Sequence, residues 1–237
     1  QLHGGLAITA YEDPGTNGSI GCFIRTSGRR HLQLNINITA GVYLLTNHHV
    51  VQAANPATGA DPRILQPEYA GHGAPPDNLV IGRYVHGFRG ATDDCAIVSV
   101  DPVRRRYANK VPSKPMTPGY NTLAGIAQPA VGQRVYKFGA TTRYTKAQIT
   151  AVNYSTPDGR VRGAIYIENR NHHLWAAGGD SGSVAILLDT NEVVGLNFME
   201  DTQCPVQGGH GCYAGLAYPI GSQMNNFCNP NGQVSLA

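Results

Sequence analysis

Hydrophobic and polar positions alternate in short runs along much of the chain. Leu32, Leu34, Ile36 and Ile38 are separated by Gln33, Asn35 and Asn37, a period of two that puts the four apolar side chains on one face of a strand. The next apolar run, Gly41 to Thr46, leads straight into Asn47-His48-His49. Similar runs rich in β-branched and aromatic residues lie at 19–25, 79–85, 95–100, 133–138, 148–153, 163–168, 183–188 and 193–198, with clusters of Gly, Pro, Asn and Asp between them. Strands this short, with no helical window before the C-terminus, predict an all-β sandwich or barrel. Near the end, Ile220, Met224 and Phe227 fall at helical spacing around polar Ser222, Gln223 and Asn225, which predicts a short closing helix within 219–227.

Between Val100 and Gly125 the pattern gives way to Asp101-Pro102, Arg104-Arg105-Arg106, Pro112, Pro115 and Pro118-Gly119, which is turn and linker chemistry. A domain join is expected there, dividing the chain into 1–110 and 111–237. The 237 residues, 41% hydrophobic, suffice for one large core or two of roughly 100 residues each. Charged residues make up 14%, well under the roughly 25% of an average soluble protein. With 29 glycines and 12 tyrosines, that composition suits a loop-rich β protein and inclines the reading towards a secreted one.

The net charge is +3, and the one tight basic run, Arg104–Arg106, is too small for a nucleic-acid footprint and reads as a solvated linker. No apolar stretch approaches 18 residues and no charged-then-apolar leader is visible, so a soluble monomer without membrane partners is expected. Five cysteines leave at least one thiol unpaired, and their spacing fits no zinc pattern. Cys22 and Cys95 sit in apolar strand-like runs, whereas Cys204, Cys212 and Cys228 could supply one disulfide in any of three pairings. The triplets starting at Asn17, Asn37 and Asn153 fit the glycosylation pattern, one that arises often by chance.

Three local motifs carry chemistry. Thr46-Asn47-His48-His49-Val50 places histidines at the end of an apolar strand, Asp93-Asp94-Cys95-Ala96-Ile97-Val98 opens another strand with aspartates, and Gly178-Gly179-Asp180-Ser181-Gly182-Ser183 is a glycine-rich turn around a serine. A serine hydroxyl is a poor nucleophile near neutral pH unless an imidazole takes its proton and a carboxylate fixes the imidazole tautomer. The turn alone is a weak signal, but the conjunction is not. His172-His173 and His210 read as surface histidines, because adjacent histidines on a strand point to opposite faces and cannot share one ion. No metal and no cofactor is expected.

In the order His, Asp, Ser, these motifs resemble the chymotrypsin-like serine peptidases. The stretch Val131-Gly132-Gln133-Arg134-Val135-Tyr136-Lys137-Phe138-Gly139-Ala140-Thr141-Thr142, followed by 149–153, is similar to the second barrel of bacterial trypsin-like enzymes such as the streptogrisins, and the resemblance spans roughly residues 18 to 228. It implies two six-stranded antiparallel β-barrels with a short C-terminal helix, and a serine endopeptidase acting on protein or peptide substrate. His49, directly before Val50, falls at the base position, Asp94 at the orienting acid, and Ser181 at the nucleophile, with the Gly179 and Ser181 amides as oxyanion hole. His48 and Asp93 would be neighbours.

The resemblance places the substrate pocket at Trp175, Ala176, Asn197, Phe198, Met199 and Glu200. Trp175 would narrow that pocket or serve as a core plug, and Glu200 and Asp201 would attract a basic side chain or simply be solvated. The chain departs from the streptogrisin pattern at three places. Val50 stands where a cysteine would pair with Cys22, Phe198 where a serine would support the acid, and Ser183 where many relatives have glycine. Gln1 is not an apolar N-terminus able to reach Asp180, so the resemblance implies Lys137 as the buried cation that neutralises Asp180. A second reading, from another class, is a catalytically silent protease-like module that binds a peptide or partner protein in the cleft.

Overall fold

The computed structural model describes residues 1–27, 29–31, 36–67, 76–100, 106–114, 119–201, 203–204, 211–227 and 234–237. Two antiparallel β-sheets account for most of it. In the second, Arg134–Gly139, Arg143–Tyr154, Ala164–Glu168, Ala214–Pro219, Glu192–Glu200 and Val184–Leu187 pair in that order. Val184–Leu187 pairs again with Arg134–Gly139, which closes a six-stranded barrel, and Gly125–Ile126 adds in parallel beside Glu192.

Among the described residues the first sheet holds eight strands, in the order Val234–Leu236, Cys22–Thr26, Gly41–Thr46, Asp94–Val100, Val80–Arg89, Arg63–Leu65, Ala7–Ala10 and Asp13–Ser19. Its pairing, among the described residues, runs from one end strand to the other without a closing pair. Val234–Leu236 therefore joins the far end of the chain to the first sheet. Between the sheets in sequence, Lys110–Pro112 and Tyr120–Thr122 form a separate two-stranded ribbon.

Alternation along the central strands separates two kinds of core. Phe23, Leu44, Ala96 and Val98 point into the first sheet's own core, while their neighbours Cys22, Ile24, Leu45, Cys95 and Ile97 face a shared core. On the second sheet Val135, Ala185 and Val194 fill the barrel, and Tyr136, Val184, Ile186 and Val193 meet the first sheet in the shared core. Because side chains alternate faces with period two, one strand serves both layers. The ends of these same strands carry the three sequence motifs to the seam.

Some strands ran against their composition. Asp13–Ser19 reads Asp-Pro-Gly-Thr-Asn-Gly-Ser, a turn-like sequence, yet it pairs with Ala7–Ala10. Buried Thr9 holds it there by donating to the carbonyls of Asp13 and Thr16, both at 2.8 Å. Tertiary pairing outweighs local propensity here. Among the described residues helix is limited to His48–Val51, Ile220–Asn225 and short 3-10 turns; the second falls within the expected closing helix, and the first begins where the histidines were expected to end a strand. Ile36–Ile38 pairs with Arg29–His31, while Leu32 and Leu34 of the alternating run lie outside the described residues, as do Arg104, Arg105, Cys228 and His210. Cys22, Cys95, Cys204 and Cys212 are free thiols; burial pushes Cys22 up to about 12 and Cys95 up as well. Among the described residues no helix is long and apolar enough to cross a membrane.

Candidate active site

The Gly41–Thr46 strand ends at Asn47, and the next four residues turn into a helix whose Val50 and Val51 are buried in the first core. That anchoring leaves His49 facing the seam, 23% of its side chain exposed, while Asp94 opens the neighbouring strand nearly buried. His49 Nδ1 lies 2.5 Å from Asp94 Oδ2, and the His49 backbone N–H donates to Oδ1 at 3.1 Å. Among the described residues these are the carboxylate's two partners. The missing serine is thus not replaced: Phe198 stacks on Tyr218 with ring centroids 4.1 Å apart and makes no bond to Asp94.

Asp94 is instead fixed through its backbone. The Asn47 side-chain amide donates to its carbonyl at 2.5 Å, and the buried Gln223 of the closing helix accepts from its N–H at 3.2 Å. Gln223 also donates to Thr92 O and to Asp93 Oδ1. Asp93 takes further bonds from Thr92 Oγ1 and Asn226, so it structures the loop. His48 points away from Ser181: its ring approaches Tyr84 and sits over Gly87, and burial lowers its pKa.

The Ser181 turn is held by its carbonyls. Thr141 Oγ1 donates to Gly178 O at 2.6 Å, and the Asp180 carbonyl accepts from Ser183 N and Oγ. A trans peptide points its C=O and the following N–H in opposite directions. The Gly179 and Ser181 amides are thereby turned away from these partners, and among the described residues neither donates to a protein acceptor. Gly179 has φ +93, and a Cβ there would lie 2.4 Å from Thr141 Oγ1, so both conformation and space demand glycine.

Across the seam, the buried Ser19 braces the same turn. Its N–H donates to Ser181 O at 2.7 Å, its hydroxyl donates to Gly179 O at 2.9 Å, and that hydroxyl accepts from Ala140 N. Ser181 Oγ itself donates to Phe198 O at 3.3 Å. No bond joins it to His49 among the described residues, a looseness common before substrate binds.

Asp180 is almost wholly buried and meets Lys137 Nζ at 2.7 Å, with side-chain exposures of 2% and 0%. Its oxygens also accept from Thr141 N, Thr142 N, Thr142 Oγ1 and Ala177 N. Gly139 permits this approach, since a Cβ there would clash with the Asp180 carboxylate. Burial depresses the Lys137 pKa and Asp180 opposes the shift. Below the ammonium, 5.4 Å away, lies the Trp175 ring, within range of a cation–π contact.

Trp175 therefore belongs to the core and not to a pocket wall: it is fully buried among Val135, Ile149, Ile165 and Ile167. Ala176 pairs with Cys212, and buried Asn197 donates to Ser183 Oγ. Phe198 and Met199 do line a cavity of about 290 Å³ beside His49 and Asp94, together with Arg89, Arg160 and Tyr218. Glu200, half-buried on the same strand, approaches Cys212, and Asp201 accepts from Tyr166 OH at 2.7 Å. His172 and His173 are exposed on a loop, His172 stacked on Tyr213. Among the described residues no three His, Cys, Asp or Glu side chains gather as a metal site.

Sequence reasoning missed Ser19, Asn47 and Gln223. Ser19 and Gln223 act across long separations and carry no local signature; the Asp13–Ser19 strand even reads as a turn. Asn47 was in view within the histidine motif, without a partner to identify it.

This fold and seam define a class, and the comparisons agree. The model of the trypsin-like peptidase domain matches residues 32–196, and the chain belongs to that family. It is a serine endopeptidase. The sequence comparison with curated proteins finds no match. Among solved structures, it is similar to Thermobifida fusca Protease A, with 18% identity, 100% of both chains covered and a TM-score of 0.67. It is also similar to the Nocardiopsis protease NAPase, with 18% identity, coverage of 98% and 99% and a TM-score of 0.62. A glutamic acid specific serine protease that uses a histidine triad in substrate binding gives 20% identity, full coverage and 0.65.

Proposed function

We propose that this endopeptidase cuts its substrate with Ser181 as nucleophile, His49 as general base and Asp94 as the acid that orients it. The observation that carries the reading is the pair of hydrogen bonds between Asp94 and His49, beside a serine turn whose Gly179 and Ser181 amides donate to no protein acceptor among the described residues. Ser181 Oγ attacks the scissile carbonyl carbon while its proton passes to His49 Nε2. Asp94 holds the tautomer with Nδ1 protonated and stabilises the imidazolium. The carbonyl oxygen, now negative, is received by the Gly179 and Ser181 N–H groups, a contribution of about 3–4 kcal/mol per donor in comparable sites. Collapse expels the amine, which takes the proton from His49, and water repeats the sequence on the acyl-enzyme.

Phe198–Glu200 pairs with the Ala214–Pro219 strand on one side. Its other edge suits an extended peptide added as an antiparallel strand, which lays the residues before the cleaved bond along it. Phe198 O then accepts the substrate amide and releases the Ser181 hydroxyl towards His49. We also assign the protein to the extracellular space on its 14% charged content, and to a monomeric state, because the exposed large apolar residues among those described are few: Tyr120, Val131 and Met199.

The test is mutational. Ser181→Ala should cost at least about 10⁴-fold in kcat with an unchanged melting temperature. His49→Ala should be nearly as severe and His48→Ala far milder. Retained turnover in Ser181→Ala removes the assignment, and exchanged severity of the histidine variants moves the base by one position.

A further inference from the structure

We propose that Arg89 and Arg160 form a carboxylate-binding subsite beside His49. The enzyme would then favour an acidic side chain within the second to fourth residues before the cleaved bond. This rests on the assignment of Ser181 and on the peptide lying along Phe198–Glu200.

The cavity of about 290 Å³ opens between the two sheets, with His49 and Asp94 on one side and Phe198, Met199 and Tyr218 beneath. Arg89 ends the Val80–Arg89 strand of the first sheet. Its Nη1 donates to a neutral acceptor, Gln52 Oε1, at 3.0 Å, and among the described residues no carboxylate pairs with it.

Arg160 comes from the opposite sheet, on a turn with its own internal bonds. Thr156 N donates to Val161 O, Gly159 N to Thr156 O and Arg160 N to Asp158 Oδ1. Arg162 N then donates to Ala91 O at 2.6 Å, which pins this turn against the loop following Arg89. Arg160 Nε lies 3.4 Å from Asp158 Oδ2, an exposed pair of the kind that water and salt weaken.

The negative groups nearby are already engaged. Asp94 is bonded through both oxygens to His49, and Asp93 by Thr92, Gln223 and Asn226. Arg89 and Arg160 therefore both line a cleft whose floor is the apolar Phe198–Tyr218 stack. Guanidinium forks match carboxylates and bind them more strongly than neutral amides, while a lysine or arginine entering the same space meets like charge. The chemistry selects for an aspartate or glutamate and against a basic residue.

Peptide pairs that differ only by Glu or Gln at the second, third or fourth residue before the bond test this directly, on a scaffold first found by library cleavage. In the wild type kcat/KM should favour Glu by about fivefold or more at one of these positions, in keeping with a charge-assisted hydrogen bond. The preference should shrink as salt is raised. The Arg89→Ala/Arg160→Ala double variant should bring the ratio near one, and Arg89→Glu/Arg160→Glu should invert it in favour of Gln. A wild-type ratio near one at all three positions, with Ser181 still reacting with a fluorophosphonate, overturns the subsite and leaves the nucleophile assignment intact. If Ser181 does not react and no peptide is cut, that assignment fails instead. The same Glu/Gln ratio is then read as peptide binding by fluorescence anisotropy, where a ratio near one again overturns the subsite.

Discussion

Asp94 and Asp180 are both buried carboxylates of one site, yet the two sheets hold them in opposite ways. Asp180 is saturated with donors from Lys137, Thr141, Thr142 and Ala177. Asp94 gives both oxygens to His49 and is anchored by its backbone, through Asn47 and Gln223. Under the proposed mechanism the difference follows from their tasks. A carboxylate that only shapes a turn is best fully compensated, because an unpaired buried charge is costly. A carboxylate that must answer the charge appearing on an imidazole keeps its field undivided when no other donor competes for it.

Four substitutions, with Asp93→Asn as a control, probe this contrast in descending order of effect. Asp94→Asn should lower kcat by about four orders of magnitude near neutral pH, because an amide facing Nδ1 favours the wrong tautomer. Asp93→Asn should be mild, and equal losses in steady-state assays would mean that both aspartates merely structure the loop. Lys137→Met should destabilise the fold by about 3–5 kcal/mol in chemical denaturation, since it removes the cation that compensates the buried Asp180 charge and leaves that charge to neutral donors alone. A wild-type denaturation midpoint with normal activity would show that the Thr141, Thr142 and Ala177 donors suffice alone.

Gln223→Ala frees the Asp94 backbone while leaving its carboxylate chemistry untouched. It should reduce kcat by about 10- to 100-fold with little change in KM, as expected when a catalytic group shifts by a fraction of its bond length. An unaltered kcat would place the positioning in Asn47. Ser19→Ala, the smallest, should cost about 1–3 kcal/mol of stability by orphaning Gly179 O and Ala140 N. It should also loosen the amides that receive the oxyanion, and unchanged binding of a peptide boronate or aldehyde would argue against that brace.

What could be read from the sequence was whatever is local. The three motifs are short, and residues such as Val50 and the Cys95–Val98 strand fix which histidine and which aspartate face the seam. The Lys137–Asp180 pair was reachable because both residues sit in recognisable segments, and the structure puts them 2.7 Å apart. Trp175 was ambiguous because its role depends on what lies under its ring, and that turned out to be the β-barrel core and the Lys137 ammonium. Ser19 and Gln223 were invisible: each meets its partner across more than a hundred residues, and no spacing rule connects a serine after a turn-like stretch to a distant oxyanion loop. The eighth strand of the first sheet, Val234–Leu236, was missed for the same reason.

The central claim is that the two sheets together activate Ser181. Intact-mass measurement and peptide mapping after treatment with a fluorophosphonate test it most directly, run beside His49→Ala and Gln223→Ala. The account predicts one adduct per chain on Ser181, formed far more slowly in His49→Ala and at an intermediate rate in Gln223→Ala. A folded wild-type protein that remains unlabelled, or one labelled at another residue, would contradict it.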